Sequence, residues 1–454
     1  MTPRRVAVAG LGASGQATTQ VLLGRGTEVI GVDDAIPGAV HSSSLELTDL
    51  DLLVVSPGWP PDAPLVRRAQ AAGAPVISEV ELAWRLRANR SANWLTLTGT
   101  NGKTTTVLML ESMLKAAGRA AVAAGNVGNP LVSAVQDPAM TDFAVELSSF
   151  QLHHTHSLQP VAAAVLNLAP DHLDWHGSWE AYLAAKARVY SGVQRAIVFN
   201  LNEPLVVEMT QQAEAGSEVA RVGFTLDQPG QGELGLVDGS LIDRAFGGAD
   251  PRELATQADL AHLSTNPHAI PPHLVANALA AAGLALAAGI EPDSVRSGLR
   301  AFNLGAHRLE AVAEVGGVRY IDDSKATNPH AAAAALRGFG DGQVVWIAGG
   351  LAKGLRFDEL VASHGHKLKA AVLIGVDQAL LVQALEQHAP GLPRYQVMGD
   401  QTGSVMEAAV RQAAKLAERG EVVLLSPAAA SMDQFANYQM RGQAFAEAVR
   451  RLEE

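Results

Sequence analysis

Thr98-Gly-Thr-Asn-Gly-Lys-Thr-Thr-Thr106, set directly after the apolar run Trp94 to Leu97, decides how the rest of the chain is read. Gly99 and Gly102 allow bends too tight for a side chain, so that the backbone N–H groups of Thr100, Asn101 and their neighbours turn toward phosphate oxygens where a helix begins. Lys103 would then set its ammonium between β- and γ-phosphates. The hydroxyl of Thr104 or Thr105 would ligate the magnesium that travels with a nucleoside triphosphate. The flanking sequence agrees: a strand over Trp94–Leu97 leads in, and an amphipathic helix over Val107–Ala117 leads out, closed by Gly118. The strict form of such a loop begins with a glycine at the position that Leu97 holds here, so this is a variant of it.

Toward the N-terminus, short apolar strands alternate with helical stretches: Val6–Ala9, Gln16–Gly24, Glu28–Val32 and Leu52–Val55 read as a parallel α/β unit. Its first turn, Gly10-Leu-Gly-Ala-Ser-Gly15, with Asp33 closing the second strand, has the form of a dinucleotide fingerprint. Such turns also hold other diphosphates, or only allow a helix to pack tightly on a strand. The polar, charged stretch Leu86–Asn93 reads as a linker. At about 150 residues per domain, 454 residues suggest roughly three domains. The boundaries are read at 1–91, 92–300 and 301–454.

Beyond the loop, Glu146 ends the apolar strand Phe143–Val145, where an acid can bind Mg²⁺ or position a water beside phosphates. Asp171-His-Leu-Asp174 follows the strand Val161–Leu166 and clusters an imidazole with two carboxylates, with His172 a candidate second ligand. The tract His153-His-Thr-His156 is read as surface, because adjacent histidines point in different directions. Gly223–Pro251 reads as hairpins and loops, and Pro271–Gly289 as an alanine-rich helix. A third set of strands follows at Arg319–Ile321, Val344–Ile347, Ala371–Ile374 and Val422–Leu425, and Ala331–Ala335 as a helix behind Asn328-Pro329.

Composition narrows the class. With 46 acidic against 34 basic residues the formal charge is −12, and no Lys/Arg cluster interrupts it, so nucleic acid is not an expected partner. The longest apolar run, Ala278–Ile290, is too short for a bilayer, which needs about 20 residues, and no membrane span is expected. The absence of cysteine excludes disulfides and thiolate chemistry. A cytoplasmic protein is expected.

Taken together and in order, Thr98–Thr106, Gly125-Asn-Val-Gly128, Glu146–Leu152 and Asp171–Asp174 resemble the Mur ligase family of ATP-dependent amide-forming enzymes of peptidoglycan synthesis. The later segments Asp322–Asn328 and Leu425–Phe435 resemble the branch of that family that adds D-glutamate. The resemblance implies an α/β fold of three domains. These are a Rossmann-like N-terminal domain, a central domain of P-loop ATPase type with a mostly parallel sheet, and a Rossmann-like C-terminal domain. It implies ATP and two Mg²⁺ sites, UDP-N-acetylmuramoyl-L-alanine and D-glutamate as substrates, and a monomer.

Residue by residue, the resemblance assigns Gly10–Gly15 with Ala13 and Ser14, and also Asp33, Asp34 and Ser56, to the uridine diphosphate end of the substrate, which accounts for the first turn without a dinucleotide. Asn126 falls near the diphosphate. Thr104 and Glu146 take one magnesium and His172 the second, beside Lys186, which family members carry as a carbamate. Asn277, Arg308 and Asp323 take the base and ribose of the nucleotide, and Lys325 lies near the transferring phosphoryl group. Thr327, Lys353, Ser431, Met432 and Tyr438 take D-glutamate. Leu274 and Ala35 depart from the family pattern. On the residues alone, a nicotinamide oxidoreductase, a sister ligase for another amino acid and a non-catalytic nucleotide-binding protein stay open; the first leaves Lys103–Thr106 without a use.

Overall fold

β1 (Arg5–Ala9), β2 (Glu28–Val32), β3 (Leu52–Val55) and β4 (Val76–Ser78) make an all-parallel sheet in the order β2-β1-β3-β4. β1 and β3 are apolar almost throughout because both faces are covered. The computed structural model describes residues 3–248, 250–264, 270–305, 307–352, 355–398 and 402–452.

The second sheet contains β5 (Asn93–Thr98), β6 (Ala121–Gly125), β7 (Asp142–Glu146), β8 (Ala162–Val165), β9 (Ala196–Asn200), β10 (Ala220–Phe224), β11 (Glu233–Val237), β12 (Ser240–Asp243) and β13 (Arg252–Thr256). Its order is β13-β12-β11-β10-β9-β8-β5-β7-β6, parallel from β6 to β11 and antiparallel over the last two pairs. The glycine-rich stretch read as hairpins is that antiparallel end. β5 lies between β7 and β8, so the loop leaving β5 has the ends of both neighbours beside it.

The third sheet contains β14 (Glu310–Val315), β15 (Val318–Asp322), β16 (Val344–Gly349), β17 (Leu368–Ile374), β18 (Arg394–Gln396) and β19 (Val422–Leu425), in the order β14-β15-β19-β16-β17-β18. Only β14 runs antiparallel to its neighbour. Apolar clusters cover both faces, one around Trp346 and Leu336, the other around Val345 and Phe445. Asn328 caps the helix Pro329–Leu336 by accepting from the Ala331 N–H at 2.9 Å.

The stretch read as a linker is pinned. The Arg87 guanidinium lies 3.4 Å from the Trp84 ring centroid, the Ala88 N–H donates to Val135 O at 2.9 Å, and Trp84 meets Trp94 edge-on at 5.2 Å. One apolar cluster accordingly runs from Val6 and Leu82 through Trp94 to Ile197. Two compact units result, Met1–Asp259 with Val275–Phe302 and Leu260–Leu274 with Asn303–Glu454. No described helix is long and apolar enough to cross a membrane.

Candidate active site

The phosphate loop follows β5 directly, and the helix Lys103–Ala116 starts at Gly102. Gly102 sits at φ +80°, and a Cβ there would lie 2.5 Å from Asn277 Oδ1, so this glycine is required both by backbone and by space. Asn277 therefore stands directly against the loop. Lys103 Nζ donates to Gly99 O and Thr100 O, each at 2.8 Å, which folds the ammonium over the loop it belongs to. Thr104 is half-buried and Thr105 buried in the first helical turn.

Two residues to which the sequence reading gave no role hold this loop in shape. Asn167, just beyond β8, accepts from the Asn101 N–H at 2.8 Å and donates back to Asn101 O at 3.1 Å; its own carbonyl accepts from the Thr100 N–H. Tyr182 Oη shares a 2.8 Å hydrogen bond with Thr100 Oγ1. The signal for Tyr182 was its position one helical turn before Lys186.

Glu146 ends β7 at 1 % exposure. One carboxylate oxygen accepts from Asn126 Nδ2 at 2.8 Å, whereas Oε2 is buried with no hydrogen-bond partner. A buried, unpartnered carboxylate oxygen is costly unless a cation completes it, and carboxylate with threonine hydroxyl is the oxygen donor set that suits Mg²⁺. The residues present thus fit that ion. His172 stands at φ +53°, at the start of a short helical turn, with its ring 4.7 Å from Phe150 and Nε2 3.5 Å from Asp171 Oδ2. Desolvation lowers its pKa, Asp171 opposes this, and Lys103 and Lys186 add to it, so the neutral, ligating form is favoured.

Lys186 is only 2 % exposed, on the helix Trp179–Ala187. Its Nζ donates to Gly99 O at 2.8 Å and Thr98 Oγ1 at 3.3 Å, which places it under the phosphate loop. Burial drives its pKa well below the lysine range, and Lys103 pushes the same way. The neutral amine is therefore favoured over what a solvent-exposed lysine would show.

The first turn is built differently. Gly10 has φ +86°, and a Cβ on Gly15 would fall 1.9 Å from Gly10 O, so both glycines are fixed by packing. Ala13 opens the helix Ala13–Leu23, with Ser14 beside it. Asp33 accepts from the Leu11 and Ala35 N–H groups, both at 2.9 Å, which hold its pKa below the ordinary value. Asp34 accepts from Ser42 N and Oγ, and Ser56 Oγ donates to Gly10 O at 2.8 Å.

In the second unit, Asp322 ends β15 and the turn Asp323–Asn328 follows. Asp323 is buried and accepts from Ser426 Oγ at 2.8 Å; burial pushes its pKa up to about 7. Arg308 is half-buried two residues before β14. Lys325 Nζ reaches Tyr438 Oη at 3.0 Å, and the Thr327 N–H closes the turn onto Lys325 O. Ser431 is buried in the segment after β19, while Met432 is exposed. Lys353 lies outside the described residues.

The sequence reading passed over Arg441, which is fully buried. Its guanidinium donates to Ser324 Oγ, Ser324 O and Ala429 O and so ties the turn after β15 to the segment after β19. His307, also unread, places Nδ1 2.6 Å from Asp322 Oδ2.

One reading is corrected. The tract His153–His156 is not all surface: His154 is 4 % exposed, and burial lowers its pKa to about 3. The helix Ser149–His153 ends just before it, and the His154 carbonyl accepts from the Ser78 N–H at 2.8 Å, which fixes the backbone there against β4.

Residues 97–285 match the Mur ligase middle domain, and residues 307–429 the Mur ligase glutamate ligase domain. The chain is 50 % identical to the UDP-N-acetylmuramoylalanine–D-glutamate ligase of Streptomyces avermitilis, over 99 % of this chain and 98 % of that one. It belongs to the Mur ligase family. A ligase of the same name from Streptomyces coelicolor is 49 % identical over the same shares of both chains. The fold of this Mur ligase family member is similar to that of UDP-N-acetylmuramate-alanine ligase from Thermotoga maritima, with a TM-score of 0.59 over 99 % of both chains at 17 % identity. The α/β architecture with mostly parallel sheets is that of the family.

Proposed function

We propose that this chain joins D-glutamate to UDP-N-acetylmuramoyl-L-alanine, consuming ATP and releasing ADP and phosphate, as a step in making peptidoglycan precursors. The observation that carries the reading is near-full-length identity of 50 % to a ligase of that name. The phosphate loop with Lys103, Glu146, His172 and Lys186 around it supports the same reading. A carboxylate is a poor acylating agent. Transfer of the γ-phosphoryl group to the L-alanyl carboxylate makes an acyl phosphate, and the amine of D-glutamate then displaces phosphate through a tetrahedral intermediate. No enzyme nucleophile is needed, so catalysis rests on positioning and on charge.

In this reading Gly99–Thr105 with Lys103 hold the triphosphate, and Asn277, Arg308 and Asp323 take the base and ribose. Lys325 is assigned to the transferring phosphoryl group. Thr104 and Glu146 would hold one Mg²⁺, and His172 with a carbamylated Lys186 a second, supplying positive charge against phosphate and carboxylate. The neutral amine of Lys186 is the form that adds carbon dioxide, forming the N–C bond and releasing a proton. Ala13, Ser14, Asp33, Asp34, Ser56 and Asn126 hold the UDP end. Thr327, Lys353, Ser431, Met432 and Tyr438 hold D-glutamate. The division of labour falls at 1–91, 92–300 and 301–454, in a monomeric cytoplasmic enzyme.

The test is phosphate release from ATP and Mg²⁺ with each substrate omitted in turn. Release that requires both UDP-N-acetylmuramoyl-L-alanine and D-glutamate, and that L-glutamate and L-alanine fail to support, is expected. Release with L-alanine in place of D-glutamate, or none with both substrates present, would overturn the reading.

A further inference from the structure

Glu79 begins the helix Glu79–Leu86 at only 3 % exposure, yet no cation pairs with it among the described residues. Its Oε1 accepts from the Val132 N–H at 2.5 Å, in the segment that follows Gly125–Pro130 and its Asn126. Its Oε2 is buried without a hydrogen-bond partner, as is His154 Nε2. Both side chains line one small, partly open cavity of about 10 Å³, and Ser14 and Ser56 of the first turn line it too. That volume is the room of a single water molecule, and a water so placed has an acceptor on the carboxyl and another on the imidazole. Buried polar atoms left without partners are costly, so a water shared between the two is favoured. Burial also pushes the Glu79 carboxyl up to about 7.

We propose that Glu79 is a positioning residue for the UDP end of the substrate, holding through one oxygen the helix that follows the Asn126 turn and, through one bound water shared with His154, filling with the other the cavity that the Ser14 and Ser56 turn lines. It touches no reacting atom. Its effect is to keep two diphosphate-contacting segments in register, one after β6 and one after β1. The inference rests on the functional reading above, because it is the UDP substrate whose binding it tunes.

The experiment has two parts. First, a crystal structure of the wild-type protein at better than about 2 Å is expected to hold one water within hydrogen-bond distance, roughly 2.7–3.2 Å, of both Glu79 Oε2 and His154 Nε2. A dry cavity, or a water bonded to neither, overturns the proposal. Second, calorimetry and steady-state kinetics compare Glu79→Leu with Glu79→Gln. The leucine variant is expected to weaken binding of UDP-N-acetylmuramoyl-L-alanine by about 10-fold, with the KM for ATP within about twofold of wild type. Glu79→Gln keeps an acceptor for Val132 and a polar atom toward the water, and should recover most of that loss. An equal change in both KM values, or none in either beside a lowered Tm, would mean a merely structural role and overturn the proposal. Should the leucine variant fail to fold, the water and the glutamine variant still decide. Wild-type protein that bound no UDP substrate would bring down the functional reading itself, whereas wild-type binding without the split in Glu79→Leu brings down only this inference.

Discussion

Gly10–Gly15 and Thr98–Thr106 are both glycine-rich turns between a parallel strand and a helix, and they differ in what surrounds them. In the first, the charged and hydroxyl groups of the turn itself are satisfied from within: Asp33 accepts two backbone N–H groups and Ser56 Oγ closes onto Gly10 O. Around the second, charge is held under tension. Glu146 keeps a buried oxygen without a partner, and Lys186 is buried as an amine with its proton affinity driven down. A turn that only grips its ligand can be finished before the ligand arrives. A turn that reacts keeps groups whose partners come with the substrate, at a cost in stability.

That contrast is broken most directly at Lys186. Lys186→Met is expected to lower kcat on the order of 10³-fold, as loss of a preorganised charge-stabilising group does, while the Tm stays equal or rises because a desolvated amine has been removed. Stability against pH carries a sign. In carbon-dioxide-free buffer, where Lys186 is the free amine, its folded-state pKa lies below its unfolded value near 10.5, so between the two the unfolded chain binds more protons and wild-type stability gains on the variant as pH rises through that interval. A variant that loses Tm along with activity, with no such pH trend, would make Lys186 an ordinary structural residue.

Glu146→Gln is expected to lower kcat on the order of 10²-fold and to leave binding of the UDP substrate unchanged in calorimetry. Asp33→Asn should do the reverse, raising the KM for the UDP substrate about 10-fold with kcat within about twofold, because an amide cannot accept from both Leu11 and Ala35. Should Asp33→Asn lower kcat as Glu146→Gln does, the two turns would not be different in kind. Ser56→Ala is expected to have the smallest effect, a stability loss of about 1 kcal/mol by urea unfolding from one side-chain hydrogen bond.

The loop at 98–106 was legible because its signal is local: glycines, lysine and threonines at fixed spacing between a strand and a helix. So were most strands, whose apolar runs are short and bounded by turns. His154 was not, because its neighbours at Ser78 and in the cavity wall lie far away in sequence. Nor do residues around Lys186 announce its burial; a single lysine on a helix reads as solvent-facing, and only family resemblance singled it out. The pinned segment after Leu86 shows the same limit, since charge and polarity there suggested a linker while Arg87 in fact stacks on Trp84. Arg441 and Asn167 hold loops together by bonds to backbone carbonyls and amides, which leave no pattern in sequence.

If the loop after β5 hands a phosphoryl group to a carboxylate, an oxygen of that carboxylate leaves with the phosphate. UDP-N-acetylmuramoyl-L-alanine carrying a heavy oxygen isotope in its L-alanyl carboxylate, turned over with ATP and D-glutamate, tests it. The label is expected in the released phosphate, because the acyl phosphate breaks at the carbon–oxygen bond when the amine attacks. Phosphate free of label, with amide product formed, would contradict it.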